Sequence, residues 1–220
     1  MSEARPEDAP PRLPDRARLR LVMLDCDGVL FDSWRANVAF YNAALAGAGQ
    51  PPLDGEGERL CHRLSSPQLW AALFGHDPAL HGRVVEAAAA VDYGPFYDLM
   101  VPAADLEATL TRLAAHCSLA LATNRGKTVA GVVERFGLRP FLALHVGVLD
   151  VARPKPAPDM LLHCLERVGV EPEEAVYVGD TELDRAAAAA AGVAYVGVGP
   201  ASGARWTVEG VRDLPALLLA

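Results

Sequence analysis

The sequence predicts an α/β protein built on a doubly wound parallel β-sheet, with an all-helical segment inserted after the first strand. Three observations carry that prediction. The apolar runs at 21–24 and 175–178 are unbroken, and that at 117–122 is interrupted only by Ser118, which suits strands buried on both faces of a sheet. Stretches with helical spacing separate those runs, so strands and helices alternate as in βαβ units. Residues 33–101, by contrast, hold several helical stretches and nothing strand-like.

Taken in order, residues 1–18 mix prolines with charges of both signs and read as a disordered arm. The strand at 21–24 ends in Asp25, Asp27 and Gly28. A first helix follows, with Val38, Tyr41, Asn42 and Leu45 near helical spacing and Gly47 and Gly49 to end it. Shorter helices are expected at 58–64, 67–74 and 78–91. The α/β pattern then resumes. Leu106, Leu110 and Leu113 form a helical stripe with Pro102 suited to its first turn. The strand at 117–122 ends in Thr123 and Asn124. Val129, Val132, Val133 and Phe136 make the next helix, stopped at Gly137. A strand at 142–149, the loop DVARPKPAP, a helix ending at Gly169, a strand ending at Gly179-Asp180 and a helix at 182–191 come next. A strand at 193–198 and a short helix at 213–219 close the chain. The expected organisation is therefore an arm (1–18), an α/β core (19–32 and 102–220) and a helical cap (33–101), hinged near 31–35 and 100–103.

Composition narrows the function. With 51% hydrophobic and 22% charged residues the chain is ordinary globular protein, and its net charge of −8 supplies no basic stripe for nucleic acid. An acidic protein that acts on an anion must neutralise it locally, with a metal or placed cations. No apolar run reaches the roughly 18 residues of a membrane span, and no signal-peptide core is present, so a cytoplasmic location is expected. Cys26, Cys61, Cys117 and Cys164 form no CxxC pair and read as free thiols. The six histidines show no metal-binding spacing.

In a doubly wound sheet, ligands gather beyond the carboxyl ends of the strands. Asp25 and Asp27 lie two apart on an extended segment and face one small volume. Asp180 and Asp184 lie four apart where a helix starts, on one face of its first turn. Helix capping would explain the second pair alone, but four converging carboxylates call for a hard divalent cation, and Mg²⁺ suits a site completed by water and phosphate. Thr123 and Asn124 read either as a helix N-cap or as phosphate binders at a helix N-terminus. Lys155, set among Pro154, Pro156 and Pro158, reads either as a solvated surface lysine or as a compact cation for a phosphoryl group. Every other basic residue except Lys127 is arginine, which favours the second. Arg125-Gly126-Lys127-Thr128 lacks the earlier glycine of a P-loop, and Gly197-Val198-Gly199 lacks the third glycine of a dinucleotide fingerprint.

The blocks DCDGVLFDS (25–33), ATN (122–124), KPAPD (155–159) and VGDTELD (178–184) together resemble the haloacid dehalogenase-like hydrolase superfamily, in the phosphoglycolate-phosphatase-like branch with a helical cap. The resemblance implies that Asp25 is the nucleophile, forming an aspartyl-phosphate, and that Asp27 is the general acid and base. It implies that Thr123 and Lys155 hold the phosphoryl group. It also implies that Asp25, the Asp27 backbone carbonyl and Asp180 bind Mg²⁺, with Asp184 supporting the metal directly or through water. The family often has glycine at the position of Pro154 and lysine at that of Arg125; Cys26 should point away from the site. The expected function is a Mg²⁺-dependent phosphatase of a small phosphorylated metabolite, with Arg35, Arg59, His62 and Arg63 as candidates for specificity. The alternatives are a sugar-phosphate mutase using the same aspartate and a silent phospho-ligand-binding domain.

Overall fold

The computed structural model describes residues 11–220, so the first ten residues of the expected arm lie outside it. The rest of that stretch is not loose: Leu13 packs against the core, and Arg18 and Leu19 donate backbone hydrogen bonds to the Asp15 carbonyl.

The chain runs β1 (Leu21–Leu24), β2 (Phe31–Asp32), α1 (Trp34–Gly47), α2 (Gly55–Cys61), α3 (Ser66–Phe74), α4 (Pro78–Ala90), β3 (Val101–Pro102), α5 (Leu106–Ala114), β4 (Ser118–Ala122), α6 (Val129–Arg135), β5 (Leu144–Val146), α7 (Asp159–Val168), β6 (Ala175–Gly179), α8 (Glu182–Ala191), β7 (Ala194–Val198), β8 (Trp206–Val208) and α9 (Leu214–Leu218). Six strands form one sheet in the order β5-β4-β1-β6-β7-β8, parallel throughout, with β1 at its centre.

Side chains alternate across this sheet with the two-residue period of a strand. Val22 and Leu24 face a core closed by α5, α6 and α9, whereas Leu21 and Met23 face one closed by α7 and α8. Both faces are apolar because both are covered, which is why the strands read as continuous hydrophobic runs. The helices between β2 and β3 enclose a third core, around Tyr41, Leu45, Leu69, Trp70 and Val84. No helix among the described residues is long and apolar enough to cross a membrane.

Three elements differ from expectation. Pro102 does not open a helix: it pairs with Phe31 in an antiparallel two-strand ribbon that ties together both ends of the helical segment, and α5 starts only at Leu106. Thr123 and Asn124 directly follow β4 but begin no helix: α6 starts only at Val129. β8, a short strand between Gly203 and Gly210, joins the sheet edge beside β7.

Candidate active site

The site lies at the carboxyl edge of the central strands. The backbone N–H of Asp25 still donates to the Val178 carbonyl at 2.9 Å, so β1 holds its register with β6 up to that aspartate. The chain then turns tightly, with Leu30 and Phe31 both donating to the Cys26 carbonyl and the Cys26 side chain buried in the core, away from the site. Gly28 adopts φ +74°, and a Cβ there would fall 2.1 Å from Asp180 Oδ2. The Asp180 carboxylate is therefore seated against the backbone of this turn, which only glycine leaves open.

Carboxylate oxygens of Asp25, Asp180 and Asp184 lie within 4.8 Å of one another. Asp25 Oδ1 and Asp180 Oδ1 are both buried with no hydrogen-bond donor. Burial pushes the Asp25 carboxyl up to about 8, opposed by Lys155 and reinforced by the neighbouring Asp184, Asp180 and Asp27 charges. Burial, with Asp184 next, pushes Asp180 up to about 7. Two orphaned, desolvated carboxylate oxygens facing one volume are what a divalent cation would satisfy, so these residues fit a hard metal ion with oxygen ligands.

Asp184, expected to support the metal directly or through water, has hydrogen-bond partners on both carboxylate oxygens. Its Oδ2 accepts from the Thr181 backbone N–H at 3.0 Å and from the Thr181 hydroxyl at 2.5 Å, closing the N-terminus of α8. Its Oδ1 accepts from Lys155 Nζ at 2.6 Å and from the Tyr177 hydroxyl at 2.8 Å. Burial would raise the Asp184 carboxyl, but Lys155 outweighs it and holds it below the usual carboxylate range. Lys155 is buried with it, its ammonium 3.0 Å from Asp25 Oδ1 though not aligned as a hydrogen bond to that atom. Asp184 thus aims Lys155 at Asp25.

Asn124, expected among the phosphate binders, borders the cavity and braces the Lys155 loop. Its Oδ1 accepts from the Lys155 backbone N–H at 3.0 Å, and its Nδ2 donates to the Lys155 carbonyl at 3.3 Å. Thr123 is buried at the end of β4 and borders the cavity, its hydroxyl oxygen accepting from the Arg125 N–H at 3.3 Å.

Asp27 stands apart from the clustered carboxylates of Asp25, Asp180 and Asp184. Arg125 donates to it twice, from Nε to Oδ2 at 2.8 Å and from a terminal nitrogen to Oδ1 at 2.6 Å. The Ser33 hydroxyl also donates to Oδ1, and Asn37 does so at 3.4 Å. Burial pushes Asp27 upward, but Arg125 and then Ser33 outweigh it and hold the carboxyl below its ordinary value. The same guanidinium donates to Asn37 Oδ1 and the Tyr93 hydroxyl, both at 3.2 Å, and so links β4 to the helical segment.

Above these groups a cavity of about 660 Å³ opens between the sheet edge and the helical segment. Of the four candidates for specificity, His62 and Arg63 border it, while Arg35 and Arg59 are exposed elsewhere. The His62 ring stacks on Trp34 at 4.0 Å, and its Nε2 is buried without a partner.

Sequence reasoning missed Arg125, Tyr177, Ser33, Asn37 and Tyr93. Tyr177 carried one usable signal, a hydroxyl inside the otherwise apolar strand AVYVG.

The family profile described as haloacid dehalogenase-like hydrolase matches residues 22–198. Phosphoglycolate phosphatase 1 of Pseudomonas aeruginosa is 33% identical over 206 residues, covering 88% of this chain and 72% of the relative. Phosphoglycolate phosphatase of Chromobacterium violaceum is 28% identical, with coverage of 91% and 96%. A crystal structure of a HAD-superfamily hydrolase from Geobacter sulfurreducens superimposes with a TM-score of 0.74 at 34% identity, over 91% of this chain and 97% of that one. CbbY from Rhodobacter sphaeroides in complex with phosphate shares the fold, with a TM-score of 0.77 at 21% identity over 92% of this chain and 100% of that one.

Proposed function

The chain belongs to the haloacid dehalogenase-like hydrolases, and from that premise we propose that it is a Mg²⁺-dependent phosphatase of a small phosphorylated metabolite, with Asp25 as nucleophile. The observation that carries this reading is the setting of Asp25: a buried carboxylate with an orphaned oxygen, 3.0 Å from the Lys155 ammonium and beside Asp180.

Asp25 attacks phosphorus, and the bond between phosphorus and the ester oxygen breaks with its electron pair going to that oxygen. Asp27, freed from Arg125 and protonated, gives its proton to the leaving alkoxide. Water then attacks the aspartyl-phosphate, its proton passing to Asp27, and phosphate leaves as Asp25 is restored. Lys155 and the Thr123 hydroxyl neutralise and orient the phosphoryl oxygens, which is most of what phosphoryl transfer asks of a protein. Asp25 and Asp180, together with the Asp27 backbone carbonyl, would hold Mg²⁺, with Asp184 keeping Lys155 in place. The ion, when bound, supplies positive charge that lets an anionic ester approach an aspartate.

The test is phosphate release from a panel of small phosphomonoesters, phosphoglycolate among them, with Mg²⁺ and with a chelator. Release that needs the metal and vanishes in Asp25→Asn supports the reading; release that survives either change overturns it.

A further inference from the structure

The walls of the cavity speak to the leaving group. Phe40, Trp70, Val85 and Ala88 line it from the helical segment, and Val148 and Leu149 from the core. Val85 is 41% exposed and Leu149 74% exposed, large apolar side chains left in solvent on the two sides of one opening. Apolar surface displayed across a concave site, rather than scattered singly, marks a binding surface. At about 660 Å³ the space is also far larger than a two-carbon acid fills.

The bordering cations point the same way. Lys155 is committed to Asp184 and lies against Asp25, and Arg125 is committed to Asp27, Tyr93 and Asn37. Lys127 and Arg63 also border the cavity, but both are solvent-exposed at its rim, with Lys127 Nζ donating to the Ala89 carbonyl at 2.8 Å. A carboxylate carried into the interior would meet Lys155 and Arg125 already paired in this structure, with His62 Nε2 the one buried nitrogen left without a partner among the described residues, whereas an alkyl or aryl group would gain by leaving water.

We propose that the preferred substrate is a phosphomonoester of a bulky, uncharged, apolar alcohol, its phosphoryl group at Asp25 and its alkyl or aryl body against Phe40, Trp70, Ala88 and Leu149. The proposal rests on the phosphatase reading above and adds the class of leaving group to it.

The experiment uses the full chain with Mg²⁺ and compares kcat/KM for the straight-chain alkyl phosphates from methyl to hexyl with that for phosphoglycolate. Leaving-group chemistry barely changes along the alkyl series, so a trend reports burial. The expected result is a rise of about fourfold for each methylene, with phosphoglycolate no better than ethyl phosphate. Ala88→Phe, which narrows the cavity at that wall, should flatten that rise. A flat or falling series with phosphoglycolate preferred overturns the leaving-group assignment and leaves the phosphatase standing. A rise that stays equally steep in Ala88→Phe overturns the placement against that wall. No release from any ester, or undiminished release by Asp25→Asn, removes the phosphatase reading and this one with it.

Discussion

Arg125 clasps Asp27 through two parallel hydrogen bonds, 2.8 Å from Nε and 2.6 Å from a terminal nitrogen, across 98 residues of sequence. Both side chains are largely buried, at 6% and 17% exposure, so the pair is little screened by water. In the clasp Asp27 is a carboxylate and cannot give up a proton. The acid role proposed for it requires it to leave Arg125, whose other partners, Asn37 and Tyr93, belong to the helical segment. One guanidinium therefore ties Asp27 to the helical segment.

Breaking the clasp from one side strands the other charge. Arg125→Met is expected to destabilise the protein by about 3 kcal/mol, the scale for removing one partner of a buried ion pair. The double variant Arg125→Met/Asp27→Asn should recover part of that loss, because the uncompensated charge is gone. Urea unfolding of the two single variants and the double variant measures the coupling; additive losses would show that the pair contributes no more than its separate parts.

Asp184 and Asp180 should separate cleanly in their effects. Asp184 spends both oxygens on Lys155, Tyr177 and Thr181, whereas Asp180 Oδ1 has no donor. Asp184→Asn is expected to lower kcat/KM by about 10–100-fold through a misdirected Lys155, on the scale of lost supporting contacts around a reactive group, with little change in Mg²⁺ affinity. Asp180→Asn should weaken Mg²⁺ binding itself. Calorimetric Mg²⁺ titration of both variants decides between the roles, and an equal loss of affinity in the two would return Asp184 to the metal.

The limits of sequence legibility follow the same geometry. β1 and β6 were readable because burial on both faces leaves an unbroken apolar run, and Asp25 and Asp180 because the ends of such runs mark the sheet edge. Pro102 misled because its ring suits a helix start locally, while pairing with Phe31 is decided by how the insert closes. β8 has three residues and owes its strand state to β7. Lys155 meets Tyr177 across 22 positions and Arg125 meets Asp27 across 98. Which partner a loop side chain finds at that range depends on the path of the loop, and no local period encodes it.

Without metal, the site should weaken the fold as pH rises. Asp25 and Asp180 are raised to about 8 and about 7 from 3.8, so the folded state binds more protons than the unfolded chain between about pH 4 and 8. Their contribution is present below about pH 4 and is lost as pH climbs through those values. Asp27 and Asp184 are held low and act in the opposite sense, in the separate window below about pH 4. A bound divalent cation relieves the repulsion, so Mg²⁺ should raise Tm by several degrees at pH 8 and scarcely at pH 5.5, at about 2–4 °C per kcal/mol for a chain of this size. Thermal melts with and without Mg²⁺ at the two pH values give the answer; an equal shift at both would mean that the ion binds elsewhere.

Gly28→Ala should damage the site more than the fold. The left-handed backbone at φ +74° costs an L-residue about 1–2 kcal/mol, which a chain of this size survives. The added methyl, however, would stand 2.1 Å from Asp180 Oδ2, and the atom that must yield is the far end of a side chain in the carboxylate cluster with Asp25 and Asp184. Asp180 can swing aside cheaply, but then it no longer points at the oxygen of Asp25. The expected variant therefore melts within a few degrees of the parent, while its Mg²⁺ dissociation constant rises at least about tenfold, the cost of a ligand shifted out of place. Circular dichroism melts and Mg²⁺ titration of the same preparation separate the two effects. An unchanged metal affinity would show that the seat under Asp180 is incidental to binding, and that the glycine serves the turn alone.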